Sequence, residues 1–424
     1  MHLTRRAFVQ STAAAGAAVI GESVVSAQGR GGGGGPVPAS IQALKPLPNP
    51  PAPITDDERR ARIAKAQRLM TEQGIGAIVL EGGASMSYFV NVRWGLSERP
   101  FLLVIPAKGE LAYVTPGFEE NRAREITKFT NDVRVWQEDE DWGKVVAGIL
   151  KDRGVTTGKV GVEERLRFFI ADGIRAAAPG VQFVLGTPVT AGCRMIKSPA
   201  EIALMQRAND ITIEAYRAAF ATLAEGMTQF EFGRNIRAAF EALGAPGGSA
   251  GVQFGEYSAF PHGSITPQKL KSGDVVLCDG GCGIEGYQSD ITRTTVFGKP
   301  SQKQLDVWNL EKQAQAAAFK AAQVGATCES VDAAARKVIV DAGYGPDYKY
   351  FTHRVGHGMG MDGHEWPYLV RGNKLPLRPG MTFSDEPGIY LRGEFGVRLE
   401  DDMVITEDGA RLFTPQSNSL EQPF

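Results

Sequence analysis

Four carboxylates in the second half of the chain have the residue types of a metal site. Asp279 follows the apolar run Val275–Cys278 and precedes two glycines, and Asp290 lies eleven residues later. A hairpin across the intervening glycines would bring these two side chains together. Glu386 and Glu400 lie on two later strand-like segments. Carboxylates that gather in one pocket repel one another, and bound cations remove that repulsion.

Histidines are concentrated in the same part of the sequence. Of the five in the chain, His2 lies at the N-terminus and the other four follow residue 261: His262, His353, His357 and His364. Oxygen ligands with one imidazole suit Mn, Co, Fe or Zn, and bridging carboxylates suit a pair of ions. Taken singly, each acidic residue is more simply explained as a solvated loop residue. The ordered set on strand-like segments predicts metal binding.

Composition and charge narrow the class of protein. With 43% hydrophobic and 22% charged residues, the chain has the balance of a soluble globular protein. Its net charge of −2 provides no basic field for nucleic acid, so no nucleic-acid partner is expected. Four cysteines are too few for a disulfide scaffold. Cys278 and Cys282 either pair in an oxidising compartment or are small buried residues, and we favour the second interpretation.

An N-terminal leader and a linker precede the segments that must position the site. Arg5-Arg6 precedes an apolar stretch with a small-residue cleavage site at Val25-Ser26-Ala27, so residues 1–27 resemble a twin-arginine export signal. Export to the periplasm is expected, with an ordinary secretory signal or a helix of the mature chain as alternatives. Residues 28–53 are rich in glycine and proline and are predicted to be a flexible linker, with folded structure from about Thr55. No later stretch is apolar for long enough to span a bilayer.

Two domains are expected after the linker. Strands alternate with helices over residues 54–190, which predicts an α/β domain. Ser198-Pro199-Ala200-Glu201 then has the residue types of a capped helix N-terminus, from which a long helix is expected to reach about Leu223. The second domain is placed at residues 191–424.

The second domain contains an internal repeat. A helical segment opens at Gly226-Met227-Thr228 and closes near Gly244, and another opens at Gly325-Ala326-Thr327 and closes near Gly343. Each is preceded by a long helical stretch and followed by a strand pair. Two related α/β halves packed around one site are therefore expected.

Together these motifs resemble a known family. From about Ser198 to Thr414 the sequence resembles the pita-bread metallopeptidases: prolidase, aminopeptidase P and, more distantly, methionine aminopeptidase. Residues 54–190 resemble the creatinase-type N-terminal domain of the first two. The resemblance implies an α/β protein, with a creatinase-type domain followed by a pseudo-twofold α+β pita-bread catalytic domain. It also implies five metal ligands, which match the family's in order and spacing: Asp279, Asp290, His357, Glu386 and Glu400.

The resemblance further implies two divalent metal ions per chain, with manganese expected first and cobalt, zinc or iron as alternatives. Asp279 would hold one ion and His357 with Glu386 the other, while Asp290 and Glu400 would bridge them. A metal-activated water would be the nucleophile, and Glu386 would shuttle its proton. The residues expected to orient the substrate or support the site are His262, His353, His364 and Arg398.

The implied reaction removes the N-terminal residue from peptides with proline in second position, as an Xaa-Pro aminopeptidase or dipeptidase does. A non-peptidase amidohydrolase or lyase on the same fold, and a non-catalytic binding protein, are the alternatives. Tyr368 stands where typical prolidases carry an arginine that grips the dipeptide carboxylate, which adds weight to an aminopeptidase P-like specificity. Asp385 precedes Glu386 where the family tends to have a small or apolar residue, so a local salt bridge or an altered pocket is expected. The family also implies a homodimer.

Overall fold

The computed structural model describes residues 36–424. The predicted export signal lies outside the described residues, and so does the first part of the predicted linker. The first described helix is α1 (Ala39–Gln42), and the chain from Pro38 to Phe424 is one compact unit. Within residues 36–424, no helix combines the length and apolar character needed to cross a bilayer.

A mixed sheet forms the core of the N-terminal part. Its strands are β1 (Ile75–Glu81), β2 (Leu102–Pro106), β3 (Ala112–Pro116), β4 (Val133–Trp136), β5 (Gly158–Val162) and β6 (Val181–Leu185). Their order is β4-β3-β2-β1-β5-β6, with β1 antiparallel to β2 and parallel to β5. The accompanying helices are α2 (Asp56–Gln73), α3 (Ala84–Val90), α4 (Glu120–Ile126), α5 (Trp142–Asp152), α6 (Phe168–Ala177) and α7 (Thr187–Arg194), with a 3₁₀ turn at Gly117–Glu119. Strands β1 to β3 are apolar on both faces because hydrophobic clusters pack on either side of the sheet.

Capping interactions fix the ends of helix α2 in the N-terminal part and the start of helix α8, which opens the C-terminal part. Helix α2 begins after Thr55, whose hydroxyl accepts a hydrogen bond from the Glu58 backbone N–H at 3.2 Å, and it ends at Gly74, where φ is 66°. Helix α8 (Pro199–Phe220) opens with the predicted capping box between Ser198 and Glu201. It ends three residues before the predicted Leu223.

Helices and short strands alternate in the C-terminal part. Its further helices are α9 (Gln229–Ala242), α10 (Gln302–Ala321) and α11 (Cys328–Asp341), with a 3₁₀ turn at Gly255–Ala259. The strands of its first half are β7 (Ser249–Phe254), β8 (Val275–Gly281), β9 (Gly283–Ile284), β10 (Tyr287–Gln288) and β11 (Ile291–Val296). Those of its second half are β12 (Gly356–Gly358), β13 (Glu365–Leu369), β14 (Thr382–Asp385), β15 (Gly388–Leu391), β16 (Phe395–Arg398), β17 (Asp401–Thr406) and β18 (Gly409–Leu412). They form the sheets β11-β8-β7 and β13-β12-β14-β17-β18, with the small pairs β10-β9 and β15-β16.

The two halves repeat one another in their hydrogen bonding, as the sequence repeat predicts. Before α9, Gly226 donates to the Leu270 carbonyl and Leu270 donates back to Met227. Before α11, Gly325 donates to the Leu377 carbonyl and Leu377 donates back to Ala326. Isolated bridges repeat as well, between Thr228 and Lys269 in the first half and between Thr327 and Pro376 in the second. The internal repeat is therefore confirmed.

The packing of the core decides two expectations from the sequence, the state of Cys278 and Cys282 and the flexibility of the linker. Cys278 and Cys282 are buried free thiols, as the favoured interpretation has it. The prediction of a flexible linker is wrong for residues 38–53. Ile41 is 1% exposed within the cluster around α8 and α9, and Arg207 donates to the carbonyls of Leu47 and Pro48. Proline-rich composition does not reveal this packing, because a few apolar side chains such as Ile41 are enough to attach the segment to the core around α8 and α9.

We expect Ile41→Ala to lower the free energy of unfolding by about 2–5 kcal/mol, because it removes a fully buried branched side chain. Thermal or denaturant unfolding of the purified chain measures this. The matched control is Ile265→Ala at a side chain that is 97% exposed, where we expect a change within about 0.5 kcal/mol. Equal effects of the two substitutions would mean that the segment is a tether after all.

Candidate metal centre

Strand pairing in the first half brings two of the predicted ligands together. Strands β8 and β11 are antiparallel, with Asp279 opposite Thr292 and Gly280 opposite Ile291. Asp290 immediately precedes Ile291, so its carboxylate lies beside that of Asp279. The hairpin expected from the glycines between them is confirmed, with the small pair β9-β10 at its tip.

The second half supplies the other three predicted ligands from neighbouring strands. His357 lies on β12, which pairs with β14. Strand β14 pairs with β17 in antiparallel fashion, with Asp385 opposite Asp401. Glu386 follows Asp385 and Glu400 precedes Asp401, so these two residues lie at the same end of the strand pair. These two side chains therefore face the same end of the sheet, next to His357.

Three overlapping groups of ligand atoms result. Each group has its atoms within 4.8 Å of one another: Asp279 with Asp290 and Glu400, His357 with Glu386 and Glu400, and Asp290 with His357 and His364. Glu400 is shared by the first two groups and Asp290 by the first and third. The oxygen-rich donor set with shared carboxylates fits a pair of divalent cations.

The orientation of His357 suits a metal ligand. Its Nδ1 lies 3.0 Å from the Gly358 carbonyl, which fixes the proton on that nitrogen. Its Nε2 faces the carboxylates, 3.2 Å from Glu386 Oε1 and 3.9 Å from Asp290 Oδ2. It can donate to Glu386 in the metal-free protein, and it would offer its lone pair to a bound cation. A ring nitrogen that binds a cation is oriented by such a hydrogen bond on the other nitrogen.

The surroundings of the carboxylates at the centre shift their pKa values in opposite directions. Burial raises the pKa of Asp290 well above its usual range, and the charges of Asp279 and Asp402 raise it further. Burial likewise raises the pKa of Glu400, and so do Asp290 and Glu386. Burial also disfavours the charged form of Glu386, but the hydrogen bond and charge of His357 outweigh it and lower the pKa to about 2. Excess negative charge of this kind is what bound cations offset.

Arg398 holds the Asp279 carboxylate in place. Its guanidinium pairs with Asp279, and its Nε donates to the Thr292 hydroxyl at 3.0 Å. It also donates to the Pro261 carbonyl at 3.1 Å and to the Tyr390 hydroxyl at 2.9 Å. Arg398 is 2% exposed, so these contacts keep the carboxylate aligned in a dry environment.

The three remaining predicted histidines occupy different places. His364 is exposed and stacks on His357, with ring centroids 3.7 Å apart, and its pKa is lowered to about 4 by partial desolvation and by His357. His353 has both ring nitrogens in contacts, with the Arg354 carbonyl at 2.8 Å and the Tyr390 hydroxyl at 2.7 Å. His262 is exposed on the loop that Arg398 ties down through Pro261. Only His364 belongs to a described ligand group.

Three supporting residues escaped the sequence analysis. The Thr292 hydroxyl lies 2.6 Å from Glu400 Oε2 and 3.0 Å from Asp279 Oδ1. Because side chains alternate between the two faces of a strand, Thr292, two residues after Asp290, is expected on the same face as that ligand. Asp402 accepts the Asp290 backbone N–H at 3.0 Å, and Tyr390 links His353 to Arg398. No sequence signal identifies these last two, because their positions depend on contacts between distant strands.

A cavity of about 310 Å³ opens beside the centre, between the N-terminal and C-terminal parts. His364, Trp366 and Tyr368 line one side of it, and Glu81 and Glu163 line the other. The loop that carries His364 is tied to the N-terminal part by ion pairs of Arg165 and Arg194 with Asp362, at 2.9 and 2.7 Å. The N-terminal part therefore positions one wall of the site.

Asp385 forms no salt bridge with any residue that the structure describes. It is fully buried, and its carboxylate oxygens have no hydrogen-bond partner within residues 36–424. Burial and the nearby charges of Asp401 and Glu311 raise its pKa well above the usual range. The expectation of a local salt bridge is therefore wrong, because Asp385 faces other acids.

The chain is similar to known proteins over most of its length. Residues 203–407 match Metallopeptidase family M24, and residues 62–196 match the Creatinase/Prolidase N-terminal domain. The Xaa-Pro dipeptidase of Pyrococcus furiosus is 31% identical over 363 residues, which are 85% of this chain and 99% of that protein.

Solved structures agree with this similarity. Dipeptidase PepE from Mycobacterium ulcerans superposes with a TM-score of 0.80 and 34% identity, over 87% of this chain and 99% of that one. The X-Pro aminopeptidase from Thermotoga maritima gives a TM-score of 0.73 and 28% identity, over 85% of this chain and 99% of that one. The predicted fold, a creatinase-type domain followed by a pita-bread domain, is confirmed.

We expect the chelated, metal-free protein to unfold at a higher temperature near about pH 5.5 than near about pH 8. A carboxyl group whose pKa is higher in the folded protein than in the unfolded protein destabilises the fold once the pH exceeds the unfolded pKa of about 4. This loss of stability is reversed when the pH falls and the group is protonated again. Asp290 and Glu400 have such raised values, and so do Asp385 and Asp402. The lowered pKa of His364 acts in the opposite direction over this range but is a single group against four, and the low pKa of Glu386 acts only in stronger acid. Calorimetry at both pH values in chelator measures the difference.

Glu400→Gln should reduce this pH dependence and raise the unfolding temperature of the chelated protein at the higher pH. The control is Glu407→Gln at an exposed site without charged partners among the described residues, which should change neither. A wild-type unfolding temperature that does not vary with pH would contradict repulsion at the centre.

Proposed function

This chain belongs to metallopeptidase family M24, with a creatinase/prolidase-type N-terminal domain, and on that basis we propose that it removes the N-terminal residue from peptides with proline in second position. Relatives named Xaa-Pro dipeptidase and X-Pro aminopeptidase support this substrate class. The observation that carries the proposal is the convergence of Asp279, Asp290, His357, Glu386 and Glu400 in overlapping ligand groups.

The same residues would hold two divalent cations. Asp279 would bind one ion and His357 with Glu386 the other, and Asp290 with Glu400 would be shared between them. Cations in such a site supply a water that is activated for attack at neutral pH. Manganese is the first expectation because the donors are mostly carboxylate oxygens.

Two side chains have direct chemical tasks in this proposal. Glu386 is ionised at neutral pH and lies at the centre, so it can accept a proton from the attacking water and return it to the leaving nitrogen. His364 is neutral and exposed, so its ring can donate to the substrate carbonyl oxygen.

His353 acts through Tyr390 in this account. If its Nδ1 proton bonds to the Arg354 carbonyl, its Nε2 accepts from the Tyr390 hydroxyl, which in turn accepts from Arg398. This chain of hydrogen bonds fixes the Arg398 guanidinium against Asp279. His353 is thus a positioning residue, and His262 on the exposed loop remains available to contact the substrate.

Export and assembly remain proposals. The Arg5-Arg6 leader supports twin-arginine export to the periplasm, and mass mapping of the mature N-terminus in cell fractions tests it. An unprocessed chain in the cytoplasm would exclude it. A homodimer is proposed from the family resemblance, and a monomer in sedimentation velocity at working concentration would exclude that state.

We expect protein stripped of metal and reloaded with manganese or cobalt to release the first residue of Ala-Pro and Ala-Pro-Ala. Glu386→Gln should lower kcat by about 10²- to 10⁴-fold, because it removes the proton acceptor. Amino-acid release followed by chromatography, with metal content measured in each variant, checks both expectations. Glu407→Gln should retain full activity. A wild-type protein that holds two metals and cleaves neither peptide would refute the proposal.

A further inference from the structure

A second cavity, of about 330 Å³, lies along one edge of the first-half sheet. Strand β7 is the last strand in the order β11-β8-β7, and no other strand within residues 36–424 pairs with its outer side. Residues 250–253 of β7 line the cavity, together with Phe230 at the start of α9 and the loop 262–265. The cavity is therefore a cleft between a sheet edge, a helix end and a loop.

The backbone of Val252 is free to pair at this edge. On an antiparallel strand, the backbone groups of successive residues point alternately toward the partner strand and away from it. The Phe254 N–H donates to Gln268 Oε1 at 2.7 Å, so it points away from β8. Val252 lies two residues earlier and points the same way, and its N–H and C=O have no hydrogen bond within residues 36–424. An unpaired edge of this kind accepts an extended peptide.

The side chain of Gln253 adds an unused carboxamide to the cleft. Gln253 is 3% exposed, and its Oε1 has no hydrogen-bond partner among the described residues. The carboxamide lies between two glycines: a Cβ at Gly263 would lie 2.8 Å from its Nε2, and one at Gly251 would lie 3.4 Å from it. A peptide group offers the complementary N–H and C=O, and such a bond removes the cost of an unsatisfied buried acceptor.

The cleft adjoins the metal centre. Gly251 is exposed and lies directly opposite Asp279 in the paired strands, and it has no side chain to separate the two sites. Gln253 projects from the same face of the sheet as Gly251, about 7 Å further along β7. His262 lines the cleft on its other side. A peptide bound at the metal centre therefore reaches Gln253 with about two extended residues.

We propose that this cleft binds the residues that follow proline in longer peptides, as an extended strand added to the edge of β7. The inference rests on the proposed peptidase function, in which only one residue precedes the scissile bond. A site for an extended segment must then hold the part that follows that bond. Val252 pairs with the peptide backbone and Gln253 with one of its peptide groups, while the exposed side chains of Phe230 and Ile265 offer apolar contacts. The protein therefore prefers peptides of four or five residues over a dipeptide.

Peptide length and backbone N–H groups provide the first test, on the manganese-loaded protein with amidated peptides. We expect kcat/KM for Ala-Pro-Ala-Ala-Ala-NH₂ to exceed that for Ala-Pro-NH₂ by about 10-fold, mainly through KM, because one or two further hydrogen bonds form. Lactic acid in place of the alanines after proline removes the N–H groups without adding bulk, and should abolish most of this gain. A wild-type protein that does not distinguish the two lengths, or that gains equally from the lactic acid peptide, overturns the proposal.

Val252→Pro removes the outward N–H and keeps the pairing with β8, because proline is tolerated at an edge position whose N–H faces away from the sheet. We expect this variant and Gln253→Ala each to lower kcat/KM for the long peptide by about 5- to 10-fold and to leave the short one within about twofold. The matched controls are Val252→Ala, which keeps the N–H, and Gln182→Ala, at an exposed glutamine on the edge strand β6. Neither control should change either value. Equal losses on both peptides would contradict the cleft.

Equilibrium binding separates this inference from the proposed function. Calorimetry with reduced-bond analogues of the short and long peptides needs no hydrolysis. If the wild-type protein cleaves neither peptide but binds the long analogue about 10-fold more tightly, and Gln253→Ala removes the difference, the peptidase proposal fails and the cleft stands. If the wild-type protein cleaves both peptides with equal kcat/KM and binds both analogues equally, the cleft is overturned and the peptidase stands.

Discussion

Repulsion among buried carboxylates is the constraint on which the rest of this structure depends. Asp279, Asp290, Glu386 and Glu400 converge where the strand ends of two sheets meet, and Asp402 lies directly behind them. Buried charge is unfavourable unless it is paired. Arg398 and Thr292 bond to Asp279, while several other carboxylate oxygens still face one another. Bound divalent cations would offset that repulsion, and in their absence protons on the carboxylates would do so.

The repeated halves explain how a chain can hold so many acids at one point. Each half supplies two carboxylates from antiparallel strands, and the hydrogen bonds before α9 are repeated before α11. The halves are nevertheless unequal, because both histidines of the described ligand groups, His357 and His364, come from the second half. The N-terminal part adds a further asymmetry through Arg165 and Arg194, which fix the loop with His364. One wall of the substrate cavity is therefore built by a different domain from the metal ligands.

Tyr368 shows why a residue should be interpreted together with its tertiary neighbours. In the sequence it is a tyrosine at a position where the resembling family carries an arginine, which indicates a lost carboxylate clamp. In the structure its ring supports Arg354, which precedes it by fourteen residues and whose guanidinium has no hydrogen bond or ion pair among residues 36–424. A positive charge therefore lies against the Tyr368 ring, and the loop before β12 supplies it.

The sequence by itself determined the candidate metal ligands, the α/β fold and the repeat, because each has a local signature. Strand-end aspartates beside glycines, capping boxes such as Ser198 with Glu201, and helix-closing glycines are encoded within a few residues. Tertiary structure decided what depends on contacts between distant segments. Examples are the packing of Ile41, the link from His353 through Tyr390 to Arg398, and the acids that surround Asp385. Local propensity reports backbone conformation, whereas the partner of a side chain is set by which strands the fold brings together.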